Sequence, residues 1–289
     1  METNILRAIA NIKDNSNFDL SKIYVFPKTN MSSVNRANNV GEALEYFMKD
    51  AFCNSFKESN AQKKKEFYSK VFSYLGNQNN PPDIILRNSD AIEVKKIDGV
   101  KSSDLALNSS YPKSKLFSNS SLITQACREC EKNWVEKDII YSVGFVEDKN
   151  LKLLILVYGG CYCASPGVYE GIKNRLEEGI EKTNLEFSST KELGRINRID
   201  PLGITNLRIR GMWTIQNPLK VFSDIFKFEK DKSEFNLISL MKKEKYDSFP
   251  KEDREKLEKD KQIILRDVKI QNPDNPAKQI NSKLIILKK

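Results

Sequence analysis

Apolar positions recur along this chain with two different periods, and the switches between them mark out the elements. Residues 36–56, RANNVGEALEYFMKDAFCNSF, put Val40, Ala43, Leu44, Phe47, Met48, Ala51 and Phe52 at alternating three- and four-residue steps, which predicts the strongest helix of the chain. A second helical stretch is expected over 60–75, ending at Gly76 in the polar turn GNQNNPP; its Lys63–Lys65 run reads as a solvated face. Two short apolar runs follow, 83–86 and 91–97, and the polar Arg87-Asn88-Ser89-Asp90 between them predicts a hairpin. The runs 139–146 and 151–158 form another pair; LKLLILVY is apolar enough to be buried on both faces, so it belongs at a sheet centre. Val168, Ile172, Leu176 and Ile180 are four apart and predict a helix over 168–182, whereas 205–215 alternates like a strand. Beyond 225 the character changes. Lys and Glu dominate 227–262, an apolar run covers 262–270, and a Pro/Asn turn at 271–276 precedes a short final strand. That pattern predicts a domain over 1–225 and a charged C-terminal appendage of lower order over 226–289. Strand runs flanked by helices, with no internal repeat, give a mixed α/β class: a mixed central sheet with helices on its faces.

Composition narrows the function. With 289 residues and 39% hydrophobic content the chain can bury a sizeable core. No run approaches the roughly 18 apolar residues of a membrane span, and METNILRAIANIKDN lacks the features of an export signal, so a soluble cytoplasmic protein is expected. The formal charge of +9 favours a polyanionic partner. Histidine is absent altogether, which excludes Ser-His-Asp and Cys-His hydrolases, HNH-type nucleases and His-ligated zinc enzymes. Five cysteines read as reduced thiols. Cys127 and Cys130 form a CxxC, but the second pair, Cys161 and Cys163, is spaced CxC, so small buried hydrophobes are favoured over a four-thiolate zinc site.

Chemistry concentrates at the first hairpin. Asp83 opens its first strand, and strand alternation sends Glu93 and Lys95 of AIEVKKI to one face while Ile92 and Val94 take the other. Two carboxylates at one locus suit Mg²⁺, which binds a few oxygen ligands and keeps waters for a phosphate. A neighbouring ammonium can orient or help deprotonate the attacking water and stabilise charge on the phosphorus, which is what phosphodiester hydrolysis without histidine requires. The competing reading is a surface hairpin with one salt bridge. Asp267 and Lys269 in IILRDVKI repeat the acid-x-Lys pattern without a preceding Pro-Asp hairpin, and serve as a decoy. On the 36–56 helix, steps of about 100° per residue place Glu42 opposite the apolar face and Glu45 at its edge, so Glu45 is a candidate third acid.

These residues carry a resemblance. NPPD and AIEVKK match the form of the PD-(D/E)xK nuclease site. Five further segments, NRANNVGEALEYFMKDAF, VFSYLGNQNNPPD, ALNSSYPKSKL, TQACREC and LGRINRIDPLGITNLRIRGMW, resemble the NgoPII family of type II restriction endonucleases, over a span from residue 35 to 225. The resemblance implies a restriction-endonuclease-like core and Mg²⁺-dependent cleavage of double-stranded DNA to 5′-phosphate and 3′-hydroxyl ends. Asp83, Glu93 and Lys95 would be the catalytic set, with Asp83, Glu93 and the Val94 carbonyl on the metal. It also implies a homodimer reading a palindrome, GGCC, and a functionally paired cognate DNA methyltransferase.

Base recognition can be read from the residues separately. In TNLRIRGMW, Leu207 and Ile209 are expected to face the core, so that Arg208 and Arg210 project together from the other face. Arginine is the commonest bidentate reader of guanine O6 and N7. Arg195 and Arg198 in GRINR are available for further bases or for phosphates, and Ser109, Ser110, Tyr111 and Lys113 read as DNA-backbone contacts. The catalytic hairpin is thus assigned to 81–97 and recognition to 190–215. Two other readings stay open: a repair or junction-resolving nuclease of the same superfamily, and a DNA-binding protein that does not cut.

Overall fold

The first helix, α1 (Ile5–Asp14), starts where the Asn4 side chain accepts the N–H groups of Leu6 and Arg7, and buries Ile5, Leu6, Ile9 and Ile12. The computed structural model describes residues 2–22, 33–77, 80–99, 103–108, 110–190, 192–228 and 233–289, with 33–40 described by backbone alone. The predicted strong helix is α2 (Ser33–Cys53), and its stripe Ala43, Leu44, Phe47, Met48, Ala51 and Phe52 is buried. Next comes α3 (Ala61–Val71), capped by Asn60. The helix expected to reach residue 75 stops at Val71, because Phe72 and Tyr74 alternate inward and the chain is already strand β1 (Phe72–Asn77).

The hairpin forms as predicted. Strands β2 (Asn80–Leu86) and β3 (Ala91–Asp98) pair antiparallel, with Ile84 opposite Ile92 and Ile85 opposite Ala91. After β4 (Leu105–Asn108), β5 (Lys115–Phe117) and the short helix α4 (Gln125–Arg128) come the long strands β6 (Glu136–Glu147) and β7 (Asn150–Tyr158). β3 lies parallel to β6, and β6 antiparallel to β7. As predicted, β7 is central and buried on both faces: Leu154 and Leu156 join the core on the side of α1 and α2, while Leu153, Ile155 and Val157 join the core on the other.

Helices α5 (Gly159–Tyr162) and α6 (Pro166–Glu181) follow. The predicted apolar repeat lies on α6 but buries nothing: Val168, Ile172 and Leu176 are 44–50% exposed. The expected single strand over 205–215 is two separate ones. After β8 (Phe187–Ser188) and β9 (Gly194–Ile196), β10 (Leu207–Ile209) completes a small sheet of order β10-β9-β8, whereas β11 (Trp213–Ile215) pairs with β4. The break falls at Arg210-Gly211-Met212, between the two strands.

The predicted C-terminal appendage requires correction. Beyond α7 (Pro218–Val221), strand β12 (Asn236–Lys242) enters the main sheet parallel to β7. After α8 (Lys243–Ser248) and α9 (Lys251–Glu258), the hairpin β13 (Ile263–Asn272) and β14 (Asn275–Lys288) extends it, giving a mixed nine-stranded sheet ordered β1-β2-β3-β6-β7-β12-β14-β13, with β5 added to β6. Lys245 of α8 holds Asp90 at 2.7 Å and Asp138 at 2.8 Å, clamping the starts of β3 and β6. Arg7 of α1 and Asp253 of α9 pair at 2.8 Å. The C-terminal segment is therefore part of the core that supports the hairpin.

Candidate active site

Glycine brings the first helix of the site onto the sheet. A Cβ at Gly144 of β6 would meet the Leu44 side chain of α2 at 2.6 Å, so the glycine leaves the room in which Leu44 packs onto the sheet. That seating carries Glu45, one residue on, toward the hairpin. Burial raises the Glu45 carboxyl above its ordinary value; Lys49, 3.7 Å away, opposes this, and Glu42 and Glu93 add to it.

At the hairpin, Asp83 Oδ2 accepts the Val94 backbone N–H at 2.6 Å. Glu93 and Lys95 share a face as the alternation required: Glu93 is buried, and its Oε1 lies 2.8 Å from Lys95 Nζ. Burial and the neighbouring Glu93 and Glu45 push the Asp83 carboxyl well above the carboxylate range, against the pull of the Val94 N–H and Lys95. Burial pulls the Lys95 ammonium down, but Glu93, Asp83 and Glu45 outweigh it and raise the amine above its ordinary value. Carboxylates gathered and buried this closely are costly to fold unless further positive charge joins Lys95 and Lys49. The donor set fits a hard divalent ion: carboxylate oxygens from two strands, and a buried Glu93 Oε2 that meets no hydrogen-bond partner. Among the described residues no three Asp, Glu or Cys side chains are grouped to hold a metal ion, and an ion held by two carboxylates would keep waters. Burial pushes the Cys127, Cys161 and Cys163 thiols up to about 12, the behaviour of small hydrophobes. The decoy acid stands apart: Asp267 of β13 is a largely exposed partner of Lys283 at 2.7 Å and Lys243 at 3.4 Å.

A cleft of about 1110 Å³ runs from this hairpin to the small sheet. Asp83, Glu93, Lys95 and Ser110 line it together with Arg208 and Arg210. The structure thus brings together two groups more than a hundred residues apart in sequence. The expected reason for the arginines' shared orientation is wrong, however. Leu207 is 48% exposed and Ile209 half-buried, because β10 belongs to the small sheet and has no core beneath it. What gathers the two guanidiniums is Glu192, which sequence reasoning passed over: Oε2 lies 3.0 Å from Arg208 Nη2 and Oε1 2.9 Å from Arg210 Nε. The only signal was one acid just before the arginine-rich stretch.

The other predicted contacts divide. Arg195 is exposed and directly opposite Arg208 across β9 and β10, so it shares that face of the small sheet. Arg198, with φ of 49°, pairs with Glu186 and does not line the cleft. Ser109 lies outside the described residues. The Tyr111 hydroxyl donates to Glu170 at 2.8 Å, and its ring stacks on Tyr169 at 5.5 Å, next to Trp213. Lys113, expected among the DNA-backbone contacts, is not presented at the surface. It is 5% exposed, and its ammonium donates to Ser110 Oγ and, at 3.3 Å, to the Tyr111 carbonyl. Burial lowers it to about 8, against Glu93 and Cys163. Since the unfolded lysine keeps its ordinary 10.5, the unfolded chain binds more protons between pH 8 and 10.5, and stability from this group rises with pH across that window. Lys113→Met should remove that rise in denaturation profiles and leave the salt dependence of DNA binding unchanged; a salt slope smaller by about one unit would restore the phosphate contact.

The chain has recognisable relatives. It matches the NgoPII restriction endonuclease family over residues 3–271. The chain belongs to that family. It is 49% identical to the type II restriction enzyme NgoPII of Neisseria gonorrhoeae over 284 residues, 98% of each chain. No solved structure matches it. The family match runs through β12, α8, α9 and into β13, so the relationship extends past residue 225, where the recognisable segments ended. As a member of this family the chain is a type II restriction endonuclease. No described helix is long and apolar enough to cross a membrane.

Proposed function

We propose that this NgoPII-family chain cuts double-stranded DNA at a short G/C-rich palindrome, GGCC, in a Mg²⁺-dependent reaction leaving 5′-phosphate and 3′-hydroxyl ends. The observation that carries the reading is the single cleft lined by Asp83, Glu93 and Lys95 at one end and by Arg208 and Arg210 at the other. Asp83, Glu93 and the Val94 carbonyl would hold the ion, with Glu45 as a further acid close by. When bound, the ion would supply charge to activate water and to stabilise the departing 3′ oxygen. Lys95, held by Glu93, orients the attacking water and meets the negative charge that grows on the phosphate. Arg208 and Arg210 would read guanines, and Arg195 and Ser110 would hold the duplex. A sequenced plasmid incubated with and without Mg²⁺ tests this: discrete fragments whose ends map to one palindrome support it, smearing indicates a nonspecific nuclease, and retardation without cutting indicates a binder.

A palindrome presents two equivalent phosphates, so the working unit is a homodimer. The exposed Val168, Ile172 and Leu176 stripe of α6 supports this, since such faces mark association sites. Light scattering of the DNA complex should show two 33.2 kDa chains per site. One chain per site, with both strands cut in a single binding event, would refute the dimer. A cytoplasmic location and a cognate methyltransferase that protects host sites complete the proposal.

A further inference from the structure

We propose that Glu192 is the positioning residue of the recognition surface: it fixes the guanidiniums of Arg208 and Arg210 as one rigid pair that presents to adjacent bases. The inference rests on the proposed reading of those arginines as guanine readers.

Three observations carry it. First, one carboxylate serves both arginines with different oxygens, Oε2 to Arg208 and Oε1 to Arg210, so the two groups are set relative to each other and not only to the backbone. Second, burial is asymmetric. The Glu192 side chain is 10% exposed, whereas Arg208 and Arg210 are 63% and 58% exposed. The acid therefore lies beneath the arginines, as a buttress does. A latch that DNA had to displace would lie above them. Third, Arg208 spends its Nε and Nη2 on Glu192, both at 3.0 Å, and keeps its Nη1, so the end of the guanidinium can still form two parallel bonds to guanine O6 and N7.

The need for such a buttress follows from the fold. β10 is three residues long, sits on a three-stranded sheet, and exposes Leu207. With both side chains largely exposed and no core below, two guanidiniums held this close together repel each other. A carboxylate between them removes the repulsion and prepays the ordering, so the bases meet a preorganised donor array. One negative charge against two positive leaves the pair attractive to DNA.

The test is a set of binding titrations in Ca²⁺ at several salt concentrations. It uses the mapped cleavage site, its single-base variants and a random duplex. Glu192→Gln should lower discrimination between the site and its variants by about tenfold or more, while binding to random duplex holds or tightens because a negative charge has gone. Glu192→Asp keeps the charge and loses the reach, so it should lower discrimination without tightening random binding. In an Arg208→Ala/Arg210→Ala background, Glu192→Gln should change discrimination no further, which a merely structural role would not produce. Discrimination within about threefold of wild type in both Glu192 variants overturns the inference, as does an equal gain in affinity for all duplexes, the signature of a latch. The two failures are separable. If Arg208→Ala and Arg210→Ala lose affinity uniformly on every duplex, the guanine-reader assignment is wrong; if they lose discrimination while the Glu192 variants do not, Glu192 alone has been misassigned.

Discussion

Lys95→Ala is expected to lower cleavage by about 10²–10³-fold or more and to leave site-specific binding in Ca²⁺ within a few-fold of wild type. Its ammonium lies at the hairpin end of the cleft, 2.8 Å from Glu93 Oε1, far in sequence from the arginines assigned to the bases. A cation placed there acts on charge that appears during phosphodiester cleavage, and an interaction made mainly in the transition state appears in the turnover number more than in binding. Removing it also strips the buried Glu93 of its ion-pair partner, so thermal melting is recorded alongside to separate lost chemistry from lost fold. Asp267→Ala is the matched control: that acid is a surface partner of Lys283 and Lys243, and its variant should cleave normally. Turnover by Lys95→Ala within tenfold of wild type would remove Lys95 from the reaction. A dead Asp267→Ala would move the site to β13.

How far the site was legible in the sequence depends on which interactions build it. Asp83, Glu93 and Lys95 were legible because strand alternation and one tight hairpin fix their relation, and both are local. Glu45 was legible as an edge residue of an amphipathic helix, but its approach to the sheet depends on Gly144 meeting Leu44, a contact a hundred residues long-range that no periodicity reports. Arg208 and Arg210 were found by the right alternation with the wrong cause, since the strand that carries them has no core side and Glu192 does the gathering. The burial of Lys113 was not legible because a lysine in a polar loop is usually solvated, and only its contacts with Ser110, Tyr111 and Tyr141 show otherwise. The C-terminal segment was misjudged through averaging. Leu237, Ile238, Leu240 and Met241 form a buried strand inside a stretch whose mean composition is Lys and Glu, and the pairing that makes it central is to β7, some eighty residues earlier.

Asp83→Asn should abolish cleavage and, without divalent metal, make the folded protein more stable by about 1 kcal/mol. Asparagine keeps an oxygen to accept the Val94 N–H, so the strand contact survives while one charge leaves a group that also holds Glu93 and Glu45. The direction follows from proton linkage. Burial and the two neighbouring acids raise the folded Asp83 carboxyl above its ordinary 3.8, so the folded state binds more protons than the unfolded chain, and its stability falls as pH rises through that interval. At neutral pH the wild type therefore carries an electrostatic cost that Asn removes. A divalent cation should reverse the order: Mg²⁺ or Ca²⁺ at a hundred times its dissociation constant stabilises a folded chain by about 2.7 kcal/mol, and most of that gain should vanish in Asp83→Asn. Melting curves with metal and with chelator, for both proteins at neutral pH, read out all four states without using activity. If Asp83→Asn melts lower than wild type in chelator, and metal raises both proteins equally, then Asp83 is a structural partner of Val94, and the acidic cluster exists for the hairpin and not for an ion.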